Sequence, residues 1–153
     1  MTELSPPTSG QIIDGWHHFP LRIYFSETDA GGVVYHGTWY SLAERARTEM
    51  LRLVGIGIDE LLQDHGMIFV IRSSEIDWIR PARGDELIVS RCRIIDPRNS
   101  SMTAEQEFSR DGELLCKIKL RIVCVKYPEW KAARIPTHVR DALAPLIAPS
   151  GDA

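Results

Sequence analysis

An α+β architecture, with one long helix packed against an antiparallel sheet, is predicted by three observations on this sequence. A helical hydrophobic repeat runs from Thr38 to Val54, strand-like alternating runs crowd the chain after it, and hairpin signals join those runs. A doubly wound fold would instead alternate strand and helix along its length.

Taken in order, Leu21 to Phe25 reads as a strand that runs into the acidic glycine turn Asp29-Ala30-Gly31-Gly32. Order resumes at Thr38, where Trp39, Leu42, Ala43, Ala46, Met50, Leu53 and Val54 share one helical face and Gly55 supplies a stop. Glu44, Arg45, Arg47, Thr48, Glu49 and Arg52 occupy the other face, with Arg45 and Glu49 spaced for weak pairing. A short helix follows over Asp59 to His65, capped by Asp59 and closed by Gly66. Met67 to Ile79 is rich in Ile, Val, Phe and Trp and stops before Pro81, which suits a strand end, and Arg83-Gly84-Asp85 turns the chain. Three further strands are predicted over Glu86 to Ile95, Ser101 to Arg110 and Leu114 to Tyr127, with Asp111-Gly112 as the hairpin between the last two. Thr137 to Leu146 reads as a terminal helix with Val139, Ala142, Leu143 and Leu146 on one face. A sheet covered on one face by a single helix leaves its other face or an edge in need of a partner, so a homo-oligomer is expected.

At 153 residues the chain fits one domain. Residues 1–18 read as a flexible extension, 19–147 as the domain and 148–153 as a tail. A net charge of -3 gives no general pull toward nucleic acid. Cys92, Cys116 and Cys124 are odd in number and lack Cys-x-x-Cys spacing, so neither a zinc site nor a disulfide framework is indicated. The first 15 residues lack the basic start and apolar run of a signal peptide, and no stretch of about 18 apolar residues occurs. A reducing cytoplasm is the expected setting. His17-His18 is a weak metal signal to which no role is assigned.

Chemistry concentrates between Arg22 and Tyr40. Asp29 precedes two glycines, whose backbones permit close approach to a ligand, although Asp and Gly also build ordinary surface turns. His36 stands just ahead of the long helix, where the first N–H groups lack helical partners and the dipole favours negative charge. A carboxylate as nucleophile or general base, with amide donors for a developing oxyanion, suffices for acyl transfer to water. His36 is the stronger candidate through its backbone N–H than through its imidazole, which also reads as a packing group at the helix entry. Gly32, through close backbone approach, and Tyr35, as pocket wall, complete this region.

Thr28-Asp29, Gly32-Val33-Val34-Tyr35-His36 and Glu44-Arg45-Ala46-Arg47-Thr48-Glu49-Met50 closely resemble the motifs of the 4-hydroxybenzoyl-CoA thioesterase family, in particular its YbgC-like acyl-CoA thioesterases. Similarity continues weakly through Arg80-Pro81-Ala82-Arg83-Gly84-Asp85 to Ile135-Pro136. The resemblance implies a hot-dog fold, a sheet wrapped around one long central helix, assembled as dimers or tetramers with active sites at the subunit interface. It implies hydrolysis of an acyl-CoA or acyl-carrier thioester, with Asp29 as nucleophile or base and the His36 amide on the carbonyl. No dissociable cofactor is expected, since coenzyme A belongs to the substrate. Arg98, Ser101 and Arg134, with Lys131 nearby, match places where relatives hold the nucleotide, and the three basic residues read equally as solvated surface charges. Many such relatives carry two tyrosines before the acidic turn, where this chain has Tyr24 and then Phe25, which should point to opposite faces of a strand. Two alternatives stand beside hydrolysis: a hydratase or dehydratase on acyl thioesters, and a non-catalytic acyl-CoA or acyl-carrier binding protein or scaffold at an envelope complex.

Overall fold

Period-two alternation from Met67 onward becomes a run of neighbouring antiparallel strands in the computed structural model, which describes residues 2–150. The strands are β1 (Gln11–Ile13), β2 (Trp16–Arg22), β3 (Met67–Trp78), β4 (Leu87–Ile95), β5 (Ser101–Arg110), β6 (Glu113–Lys126) and β7 (Lys131–Ala132). Among the described residues they form one sheet of order β1-β2-β4-β5-β6-β3, with β7 added to β6, and every pairing is antiparallel. The helices are α1 (Thr38–Leu53), α2 (Ile58–His65) and α3 (Thr137–Leu143).

The inward residues of α1, among them Trp39, Leu42, Ala43, Ala46 and Met50, are buried against Ile88, Cys92, Ala104, Phe108, Ile118 and Leu120 of the sheet. Small residues at 43 and 46 let the helix lie close to the strands, so the sheet curves around it. The α+β expectation and its element order therefore hold. Asp111 and Gly112 turn the β5–β6 hairpin with φ of 50° and 81°, the left-handed pair this dipeptide favours.

Four local expectations change. Residues 11–13 and 16–18 are strands rather than a flexible extension, because Asp14 and Gly15 adopt the same left-handed pair, with φ of 50° and 81°. Two histidines and Pro20 hid this strand; β1 ends before reaching Pro20, which sits where β2 is already an edge. The strand expected to reach Phe25 stops at Arg22, and Phe25–Glu27 is a short 3-10 helix. Tyr24 and Phe25 are both exposed, so opposite strand faces do not describe them. Helix α2 begins at Ile58 after Gly57, which leaves Asp59 in its first turn rather than at its cap.

At the other end, Ala148 N–H donates to the Ile94 carbonyl at 2.8 Å, which ties the start of the expected tail to β4. Residues 151–153 lie outside the described residues. No helix among the described residues is long and apolar enough to cross a membrane.

Candidate active site

The Asp29 turn is built from its own backbone. Gly32 N–H donates to the Asp29 carbonyl at 3.0 Å, Asp29 N–H donates to the Val33 carbonyl at 2.8 Å, and Gly32 closes the turn at φ 75°. A side chain there would be strained by that φ rather than by crowding, since space beside Gly32 is open. One carboxylate oxygen of Asp29 accepts the Gly31 N–H at 2.8 Å, and Asp29 itself is exposed. Asp29 thus serves both as turn residue and as a carboxylate open to a ligand.

Glu27 anchors this loop to the helix. Its buried carboxylate accepts the Tyr24 N–H at 2.8 Å and pairs with Arg45 of α1 at 2.6 Å, while its carbonyl accepts the Tyr35 N–H. Arg45 is therefore taken by Glu27 and not by Glu49, which binds Ser9 and Arg52. Val34 N–H donates to the Ala82 carbonyl at 2.8 Å and straps the loop to the segment after β3.

At the helix entry, two peptide groups are held by their carbonyls while their N–H groups stay free. The Tyr35 carbonyl accepts the Thr38 N–H at 2.9 Å, and the His36 carbonyl accepts the Trp78 Nε1–H at 3.0 Å. Because a trans peptide points its N–H opposite its carbonyl, these bonds fix the His36 and Gly37 amides in direction. Neither amide donates a hydrogen bond among the described residues. The His36 ring lies between Tyr35, at 4.4 Å between centroids, and the edge of Trp78, at 5.8 Å.

Asp29, Val34, His36, Trp39, Trp78 and Pro81 line an open cavity of about 320 Å³ beside the end of β3. Trp39 forms its floor, almost wholly buried against Phe108. Tyr35 and Gly32, expected as pocket wall and close backbone approach, do not line it: Tyr35 is exposed with its ring against Gly37, and Gly32 belongs to the turn itself. Trp78 and Glu27 carry much of this geometry and were not singled out in the sequence. An aromatic residue closing a strand and an acid in a turn are too common to announce such roles.

Arg98, Ser101 and Arg134 gather at the opposite end of the sheet. Arg98 pairs with Asp96 at 3.3 Å, its N–H donates to the Ser101 carbonyl, and Ile135, next to Arg134, donates to the Asn99 carbonyl. The Ser101 hydroxyl accepts from Arg121, and Arg98 and Arg134 are exposed. Along β6, Cys116 lies beside Trp78 and Val123 beside Ser101, a separation of roughly 23 Å at about 3.3 Å per residue. One copy of the chain does not bring these residues to Asp29.

Other candidate nucleophiles and ligands are ruled out by burial. Desolvation pushes the Cys92 and Cys116 thiols up to about 12, so neither is a thiolate at neutral pH. His17 is wholly buried, with Nε2–H donating to the Ser9 carbonyl at 2.7 Å, and its partner His18 faces the other side of the strand.

The description of the family model that matches residues 23–143 is the thioesterase-like superfamily. The chain belongs to that superfamily. It is YbgC-like: the acyl-CoA thioesterase YbgC of Haemophilus influenzae is 32% identical over 86% of this chain and 96% of its own. A probable thioesterase from Bartonella henselae has 32% identity and a TM-score of 0.75, covering 79% of this chain and 99% of its own. A 1,4-dihydroxy-2-naphthoyl-CoA thioesterase from Synechocystis shares the fold at a TM-score of 0.79 and 21% identity, covering 84% of this chain and 96% of its own. The hot-dog architecture expected of this thioesterase is thus the one its relatives adopt.

Proposed function

We propose that this thioesterase hydrolyses acyl-CoA thioesters beside Asp29, with the His36 and Gly37 amides holding the carbonyl oxygen. The observation that carries the reading is a pair of oriented, unengaged N–H groups at a helix start, with His36 and the Asp29 carboxylate lining the same open cavity. As negative charge develops on the thioester oxygen, these donors need no reorganisation, and the dipole of α1 adds to their effect. Asp29 either attacks the carbonyl carbon, forming an anhydride that water then opens, or takes a proton from the attacking water. Both routes expel coenzyme A as a thiol, and the thioester carbonyl is reactive because sulfur donates little resonance. Single-turnover hydrolysis in heavy-oxygen water establishes the covalent route if label enters the Asp29 carboxylate, which happens only when water opens an anhydride at the Asp29 carbon.

The working unit is a dimer. Strand β3 has twelve residues and no strand on its outer side among the described residues, which leaves a long unpaired edge. Antiparallel pairing of two β3 edges about their middle sets the Met67 end of one copy against the Trp78 end of the other. That arrangement carries Arg98, Ser101 and Arg134 of a second copy toward the Asp29 cavity of the first, where their charges suit the phosphates of coenzyme A. Release of free thiol from a panel of acyl-CoA substrates tests the activity, and a solution mass measurement tests the dimer. A stable monomer that hydrolyses acyl-CoA at full rate would sink the shared-site reading.

A further inference from the structure

Arg47 was expected on the solvated face of α1, yet it is only 9% exposed. One guanidinium nitrogen donates to Gln106 Oε1 at 3.0 Å, and Gln106 in turn donates to the Ala43 carbonyl and Ser90 Oγ, which holds the side chain in place. No carboxylate lies within 4 Å of it among the described residues. Arginine keeps its proton at any ordinary pH, so this is a desolvated positive charge with no carboxylate in ion-pair contact. Burial lowers the Arg47 pKa, and the nearby Cys92 and Glu44 offset this only in part.

The same residue lines a cavity of about 170 Å³ between α1, α2 and the sheet, whose other walls include Met50, Leu61, Phe69, Met102 and Ile122. A dry cavity of about 150 Å³ accepts a benzene-sized molecule. A largely apolar chamber of that size with a buried cation on its wall suits a ligand with an apolar body and a single anionic end. Glu44, three residues earlier on the helix, also lines the cavity and would oppose an anion, although it makes no ion pair with Arg47.

We infer that this cavity binds a small carboxylate, its apolar part against Phe69 and Met102 and its anionic end on Arg47. The cavity includes Ile68, Phe69 and Ile71, from the end of β3 that the proposed dimer sets beside the Asp29 cavity of the second copy. On that reading, which the catalytic role of the site rests on, the carboxylate is the far end of an acyl group or the free acid after hydrolysis.

Binding is measured first, by calorimetry on the full chain with hexanoate and benzoate against their neutral amides. The acids should bind at least about tenfold more tightly, as expected for hydrogen bonds to a charged group, and Arg47→Met should remove that preference. Glu44→Gln should strengthen acid binding. Equal affinity for acid and amide, or a preference that survives Arg47→Met, overturns the inference. If Arg47→Met does not fold, Ile58→Trp, which narrows the mouth and leaves the guanidinium in place, must weaken acid binding; unchanged binding overturns it too.

Hydrolysis then separates the two sources. A kcat/KM advantage for succinyl- and glutaryl-CoA over butyryl- and valeryl-CoA, lost in Arg47→Met, assigns the anion to the acyl group. Product inhibition by the free acid, lost in the same variant without any change in substrate preference, assigns it to the product. Absence of both effects overturns the cavity's link to catalysis. Acid binding that depends on Arg47 in a protein that hydrolyses no thioester would reject the proposed activity and leave the cavity assignment standing.

Discussion

The two edges of the sheet are finished in opposite ways. At β1 the chain seals itself: the strand is three residues long, Ser9 Oγ–H reaches across to Glu49 at 2.7 Å, and His17 is buried beneath the N-terminal segment. The Trp16 ring there meets the guanidinium groups of Arg91 and Arg93 at 4.3 and 4.4 Å, so the outer surface is covered by charge. At β3 a twelve-residue edge stays open, with Ile71 and Trp78 each 50% exposed and Ile79 beside them. Short edges resist pairing and long ones invite it, and β3 is four times the length of β1. The carboxylate and the free amides sit at the open edge, where a second copy can complete a site, and the closed edge supplies stability.

The largest test of this contrast is Asp29→Asn, which should lower kcat by about 10²–10⁴-fold, the range of a lost general base, with the melting temperature unchanged. Full activity in that variant would remove Asp29 from the chemistry and leave the open edge without its reason. Next, Ile71→Lys places a charge on the exposed stretch of β3 and should yield monomers by light scattering, with activity down by about 10²-fold as the site is displaced. A dimer that survives it would move the interface elsewhere.

At the closed edge the same order of perturbation should affect stability alone. Gly10 has φ 82°, and a Cβ there would lie 2.2 Å from the His18 carbonyl oxygen. Gly10→Ala should therefore cost about 1–3 kcal/mol by denaturant unfolding, with activity per folded molecule retained. An acid-side loss of stability is expected from His17. Desolvation holds its folded pKa below the ordinary 6.5, so the unfolded chain takes up a proton first as the pH falls. Stability should thus be fully present above pH 6.5 and decline below it, and His17→Gln should flatten that decline in thermal melts. The smallest effect is expected from Phe25→Tyr: the side chain is exposed, and the change should stay within about 0.5 kcal/mol of stability. A large gain in kcat there would restore a role for the hydroxyl that this chain lacks.

Asp29 and His36 were legible because their chemistry follows from residue type and position: a carboxylate before glycines and an amide before a helix. Glu27 and Trp78 were not, since each acts through a partner distant in sequence, Arg45 in one case and the His36 carbonyl in the other. Arg47 was misplaced for a related reason. Helical spacing puts it on the polar side, but the sheet curves far enough around α1 that Gln106, itself held by Ser90, meets it there. The β1–β2 hairpin carried a readable Asp14-Gly15 signal, masked by histidines whose burial depends on the N-terminal segment folding over them.

By itself the sequence determined the α+β class, the long helix, the bounds of the central strands, and the carboxylate–glycine–helix junction. These follow from short-range periodicity and backbone preference, which act within a few residues. Tertiary structure alone decided which edge stays open, which carbonyls hold the two amides in direction, and which arginine lies buried without an ion-pair contact. Each of those depends on groups far apart in the chain meeting at a few ångströms, and only packing sets such distances.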